Sequence, residues 1–153
     1  MILDEIPAFA TLLKMAKRLR EVNIDYAVVG ELAMFYHGLE RSTDVLELLV
    51  SRESQNEIHQ RVTGLDFISV GYGSKDIRDK ANGATVKFIV AGDFPGDGRR
   101  KPVVHPNPAD AGVEKDGIRW MKLPLLIDIK LASGMTNKAK KKDLAEVREL
   151  IEA

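Results

Sequence analysis

The sequence predicts a mixed α/β domain, a sheet covered by helices on at least one face. Segments with helical apolar spacing alternate along the chain with short apolar runs, and those runs are bounded by glycine or polar turns. With 153 residues the chain is long enough for one core and too short for two, so a single domain over residues 1–153 is expected.

The first helix is expected over residues 7–21. Ile6, Phe9, Leu12, Leu13, Ala16 and Leu19 recur at helical spacing, with Lys14, Lys17, Arg18 and Arg20 between them. "IDYAVVG" follows as a buried strand ended by Gly30, and a short helix over residues 31–36 is closed by Gly38. "VLELLV" is a second strand, and "SRESQNEIHQRV" opens with a capping serine and continues as a polar helix over one face of the sheet. After the glycine-rich residues 71–83, "ATVKFIVAG" reads as a third strand. "DFPGDGRRKPVVHPNPADAG" holds four of the six prolines and is expected to be a structured loop, and "DGIRWMK" a turn and a short strand. "LPLLIDIKLASG" and "NKAKKKDLAEVRELIEA" form a helical pair, with Leu144, Val147, Leu150 and Ile151 expected on one side of the last helix.

Composition narrows the chemistry. Lys plus Arg and Asp plus Glu are equal at 23 each, so no global field drives the chain onto nucleic acid or an anionic membrane. The absence of cysteine excludes disulfides, thiolate metal sites and cysteine nucleophiles, and suits a cytoplasmic location. Asp4 and Glu5 interrupt an N-terminal segment that has no long apolar block, which reads as neither signal peptide nor membrane span.

Candidate site residues cluster in residues 26–50. A strand running into glycine at a helix start can hold phosphate, but Glu31 beside Gly30 better suits a plain turn with an acid meeting the helix dipole. Val45 and Glu47 share one face of the second strand, and Asp44 belongs to the other unless the strand is bulged. Lys87 stands on the third strand, and if that strand lies beside the second, as the resemblance described below implies, an ion pair with Glu47 is the structural alternative to a metal site. His37 reads as a helix-end residue bonding the last carbonyls or as a site residue. Lys130 either snorkels from its helix or points into a cleft, and Asp143 either pairs with a lysine or caps the last helix. Arg99, Arg100 and Lys101, and the run Lys138, Lys140, Lys141 and Lys142, are solvated surface unless they converge on one cleft.

The stretch "YAVVGELAMFYHGLERSTDVLELLV" resembles the opening of the small nucleotidyltransferase-like proteins, including the AbiE-type toxin nucleotidyltransferases. Their pattern is a strand, Gly-Gly or Gly-Ser, a helix ending His-Gly, Arg-x-Thr, and a strand bearing Asp-x-Asp. "VKFIVAGDFPGDGRRKPVVHPNP" and "LPLLIDIKLASGMTNKAKKKDLAEVRELI" resemble the central and C-terminal blocks of that family. The resemblance implies a nucleotidyltransferase-like mixed sheet with a C-terminal helical pair. It also implies an ancestral Mg²⁺-dependent transfer of a nucleoside monophosphate from an NTP to a hydroxyl of tRNA or protein, and an antitoxin-like partner. Gly30, Glu31, Arg41, Thr43 and Lys130 then fall at nucleotide-binding positions, and Glu47, with Asp44 through a shifted register, at the catalytic metal position. Val45 and Lys87 occupy places where the family carries carboxylates, so the metal site is expected to be degenerate. A non-catalytic module binding a nucleotide or a partner is the alternative.

Overall fold

The structure is a computed structural model and describes residues 2–64, 66–71, 73–134 and 140–153, with Lys140 and Lys141 described by backbone alone. Helix α1 spans Pro7–Glu21, with proline in its first turn, and buries Ala8, Thr11, Leu12, Met15, Ala16 and Leu19. Strand β1 (Ala27–Val29) runs directly into α2 (Gly30–Tyr36), and β2 (Val45–Val50) returns antiparallel to β1. Helix α3 (Arg52–Arg61) is capped by Ser51, whose Oγ accepts from the Ser54 N–H at 3.1 Å.

Strands β3 (Phe67–Ser69) and β4 (Ile77–Asp79) form a hairpin in the glycine-rich region, where the sequence shows no strand pattern. Strand β5 (Thr85–Val90) follows. The proline-rich segment also contains a one-turn helix, α4 (Pro108–Ala111), and an edge strand, β6 (Gly112–Lys115). Asp116 and Gly117 turn β6 into β7 (Ile118–Met121), both with positive φ, the backbone form of a tight hairpin whose twist matches its strands. Helices α5 (Leu123–Ser133) and α6 (Lys140–Glu152) are the expected pair.

One seven-stranded sheet takes the order β3-β4-β5-β2-β1-β7-β6. It is mixed: β2 pairs with β5 and β1 with β7 in parallel, and the other neighbours are antiparallel. Period-two alternation divides its residues between two cores. Leu46, Leu48, Val50, Val86, Val28 and Trp120 pack with α1, Ile58 of α3 and the β3–β4 hairpin. Ala27, Val29, Leu49 and Met121 pack with Leu126 of α5 and Leu150 of α6. Helices thus cover both faces.

The last helix turns a different side inward from the one expected. Val147 and Leu150 are buried, but Leu144 is 39% and Ile151 67% exposed, and the inner stripe is completed by Asp143 and Glu146, 6% and 3% exposed. These two acids are drawn inward by Lys130 of α5, and the ion pairs set the rotation of the helix that an apolar count alone assigns differently.

A second polar knot ties the hairpin to α1. Asp79 is fully buried; it accepts from Thr11 Oγ1 (2.7 Å), Lys14 Nζ (2.5 Å) and the Ala81 N–H (2.9 Å). Burial pushes its carboxyl up, but Lys14, Thr11 and the Ala81 amide outweigh burial and leave it below the usual aspartate value. Because the folded pKa is depressed, this contribution to stability is present above the unfolded carboxylate pKa of about 4 and is lost as pH falls through the lower folded value. Asp79→Asn should therefore lower the unfolding free energy by about 2 kcal/mol at pH 7 in urea titrations, and the gap to the parent should close below about pH 4.

Candidate functional site

The residue geometry converges on a cleft between the sheet and the α5–α6 pair. β1 and β2 pair in the register Val29↔Glu47, which sets Glu47 beside the residue where β1 becomes α2. That residue is Gly30, with φ of +71°. A Cβ built there would lie 1.9 Å from Glu47 Oε2, so the glycine serves both the left-handed backbone and the carboxylate lying over it. The turn is not the open phosphate cradle that its strand–glycine–helix pattern suggests: Glu47 fills the space above it, and half-buried Glu31 stands next to it.

On the other side, β2 pairs with β5 without interruption from Val45↔Thr85 to Val50↔Val90. This places Glu47 level with Lys87 and on the same face, opposite to the face of Leu46, Leu48 and Val86. No bulge shifts the strand, and Asp44 remains an exposed residue in the bend before β2, with its carbonyl accepting from the Thr85 N–H. The pairing of Asp44 with Glu47 through a shifted register is not formed. Nor is the ion pair expected between Glu47 and Lys87; Lys87 points to solvent, and Lys130 is the cation that Glu47 feels most.

The cleft has a volume of about 370 Å³ and is lined by Val29, Gly30, Glu47, Met121 and Ile129 among its inner residues. Lys130 points into it, as one of the two sequence readings expects. Its Nζ lies 3.1 Å from Glu146 Oε1 and 3.4 Å from Asp143 Oδ1, and Ser133 Oγ donates to Asp143 Oδ2 at 2.7 Å. Two buried carboxylates thus share one ammonium, and Glu146 Oε2 is buried without a hydrogen-bond partner among the described residues. Glu47 makes no hydrogen bond to a described residue. Burial raises its pKa, against the pull of Lys130 and Lys87, and Glu31 adds to the rise.

Other expected site residues lie outside the cleft. Arg41 pairs with Glu149 of α6 at 3.5 Å. Thr43 Oγ1 accepts from the Val45 N–H at 3.0 Å, and its carbonyl accepts from the Ala8 N–H, so it fixes the loop before β2 to α1. His37 ends α2 as expected, its backbone N–H donating to the Ala33 carbonyl at 3.1 Å, and its ring Nε2 donates to the Met121 carbonyl of β7 at 2.7 Å. Arg99 and Lys101 pair with Asp97, and Arg100 is exposed. Lys138 lies outside the described residues, and exposed Lys142 acts on Glu47 only as a distant charge.

The residues do not fit a two-magnesium centre. On the Glu47 face the neighbouring expected ligands are an apolar Val45 and a cationic Lys87, and among the described residues no group of three or more His, Asp or Glu side chains is arranged to hold a metal. The sequence reading expects a structured loop after β5 but names none of its cleft-lining residues. Its Asp93, Phe94, Pro95, Gly96 and His105 form one end of the cleft. The only signal was the "DFPGDG…VVHP" block, which carries the resemblance but contains no regular period.

Because the folded pKa of Glu47 is raised, its ionisation opposes folding: the carboxyl is tolerated below its unfolded pKa and costs stability as pH rises through the folded value. Glu47→Gln should raise the melting temperature above that of the parent at pH 8 and leave it unchanged at pH 3.5, by calorimetry. Lys130→Ala, by contrast, strands Asp143 and Glu146 and should cost about 3 kcal/mol or more in urea unfolding.

No protein-family model matches the sequence, and no curated protein matches it by sequence. Solved structures do match its fold. A candidate nucleotidyltransferase from Thermotoga maritima superposes with a TM-score of 0.60 at 21% identity, over 95% of this chain and 96% of its own. An antigenic nucleotidyltransferase-like protein from Paracoccidioides brasiliensis gives 0.60 at 13% identity, over 94% of this chain and 74% of its own. ANT(2")-Ia in complex with adenylyl-2"-tobramycin gives 0.56 at 12% identity, over 92% and 86%. The chain has the nucleotidyltransferase-like fold.

Proposed function

We propose that this protein is a nucleotide-binding module built on the nucleotidyltransferase-like fold, one that no longer depends on a two-metal centre. The observation that carries this reading is the unbroken β2–β5 register, which surrounds Glu47 with Val45 and Lys87 where a metal pair needs carboxylates. Nucleotide binding is supported by the fold, by a cleft volume in the range of small-molecule sites, and by the Lys130 ammonium within it, which a phosphate would share with Asp143 and Glu146. The binding signal would pass to a protein partner, for which the antitoxin-like proteins of the resembling family are the model.

A second reading, a working transferase, is favoured by Glu47 alone. A carboxyl with a raised pKa in a cleft, without a hydrogen-bond partner among the described residues, is suited to general-base work. It would take the proton of a tRNA or protein hydroxyl as that oxygen bonds to the α-phosphorus of an NTP and pyrophosphate leaves.

Calorimetric titration with the four NTPs separates the two, run once with Mg²⁺ and once with EDTA. The expected outcome is weak binding that changes by less than about threefold on chelation, with no transfer of α-labelled nucleotide to tRNA or protein. Binding abolished by EDTA, or label on either acceptor, would reject the module in favour of an enzyme.

A further inference from the structure

The chain has three histidines, and two of their rings are tied to carbonyls: His37 to Met121 and His59 to Lys75. His105 is different. Its ring is half-buried, lines the cleft and makes no hydrogen bond to a described residue. The backbone holds it firmly all the same, because its N–H donates to the Asp93 carbonyl and its carbonyl accepts from the Gly92 N–H, both at 2.8 Å. That pair of hydrogen bonds closes the loop carrying Phe94 and Pro95, and Arg52 pairs with Asp93 at the loop base at 2.8 Å. With its backbone fixed and its ring without a hydrogen-bond partner among the described residues, His105 has its side-chain hydrogen-bonding capacity unused.

Of the polar side chains lining the cleft, Asp93 is paired with Arg52, and Lys130, Ser133 and Asp143 bond one another. Glu47 and His105 are left. They sit at different ends: Glu47 is level with Lys87, whereas His105 is bonded just beyond Val90, where β5 stops. Three strand residues separate those levels, about 10 Å at the usual rise. A ligand that uses both ends must be elongated. The Glu47 end has the ammonium of Lys130, and the His105 end has the ring of Phe94 and the face of Pro95. Burial lowers the pKa of His105 against the pull of Asp93, which favours the neutral ring with one donor and one acceptor.

Resting on the nucleotide-binding reading, we propose that His105 is the base-reading residue of the cleft: it hydrogen-bonds the edge of a nucleobase lying against Phe94, with the phosphates toward Lys130. A planar ring with donors and acceptors on its edge matches an imidazole and a phenyl ring lining the same cleft, and the imidazole has no hydrogen-bond partner among the described residues.

The test follows the three histidine ring signals by NMR, assigned with His105→Gln, during titration with ATP, CTP, GTP and UTP and separately with inorganic triphosphate. At least one nucleotide should move the His105 signal and leave His37 and His59 in place, and triphosphate should not move it. His105→Ala should weaken that nucleotide about three- to tenfold in calorimetry without changing the affinity for triphosphate. His105→Gln, which keeps a donor and an acceptor, should recover part of the loss and guards against a loop that has simply collapsed. If nucleotide binds while the His105 signal stays still, or if triphosphate moves it equally, base reading by His105 is overturned and the binding module stands. If no nucleotide binds, both fall.

Discussion

The cleft depends on the parallel pairing of β2 with β5. Two strands that are buried on one face by α1 and α3 cannot slip by a single residue without turning Leu46, Leu48 and Val86 out of the core. The core therefore dictates the chemistry of the opposite face. Glu47, Val45 and Lys87 are held where they are by the apolar residues between them, and neither a carboxylate nor a metal has a say in the register. A fold of this kind can lose catalytic ligands without losing its shape, because the residues that set the geometry are not the ones that perform the reaction.

The α5–α6 face is governed by charge rather than by apolar area. Helix α6 turns Asp143 and Glu146 to Lys130 and leaves Leu144 and Ile151 in solvent. Arg41 on the loop before β2 grips the same helix through Glu149. Two residues that resemble nucleotide contacts in sequence thus have structural duties in this chain: Arg41 docks a helix, and Lys130 is shared between the cleft and two buried acids. An anion entering the cleft meets an ammonium already balanced, with one oxygen of Glu146 to spare.

How much could be read in advance varied with the physical origin of each element. Helix α1 was legible to both ends because its apolar period is long and Pro7 marks its start. Val45 and Glu47 were placed on one face by period-two alternation, which β-pairing must obey, and Lys87 was set opposite Glu47 only through the family resemblance. The β3–β4 hairpin was not legible: three-residue strands carrying Arg78 and Asp79 become strands only by pairing with β5 and by the contact of Asp79 with α1. The α6 face was misread because hydrophobic spacing does not register a lysine on another helix. His105 escaped because its position depends on backbone bonds within an aperiodic loop. The fold was therefore largely visible, whereas of the residues lining the cleft only Gly30, Glu47 and Lys130 were named as site positions.

The place of β1 in the sheet has a consequence for the nascent chain. Its neighbour on one side, β2, follows closely in sequence, but its neighbour on the other side, β7, is reached only after most of the remaining strands have been made. During synthesis the apolar Ala27–Val29 segment consequently presents an unsatisfied edge to the crowded space outside the ribosome, an invitation to adhere to another polypeptide. Helix α5, which roofs the cleft, emerges later still. The chain must pass this stage before any small molecule has a pocket to enter, so a bound ligand cannot shield that edge while it is open.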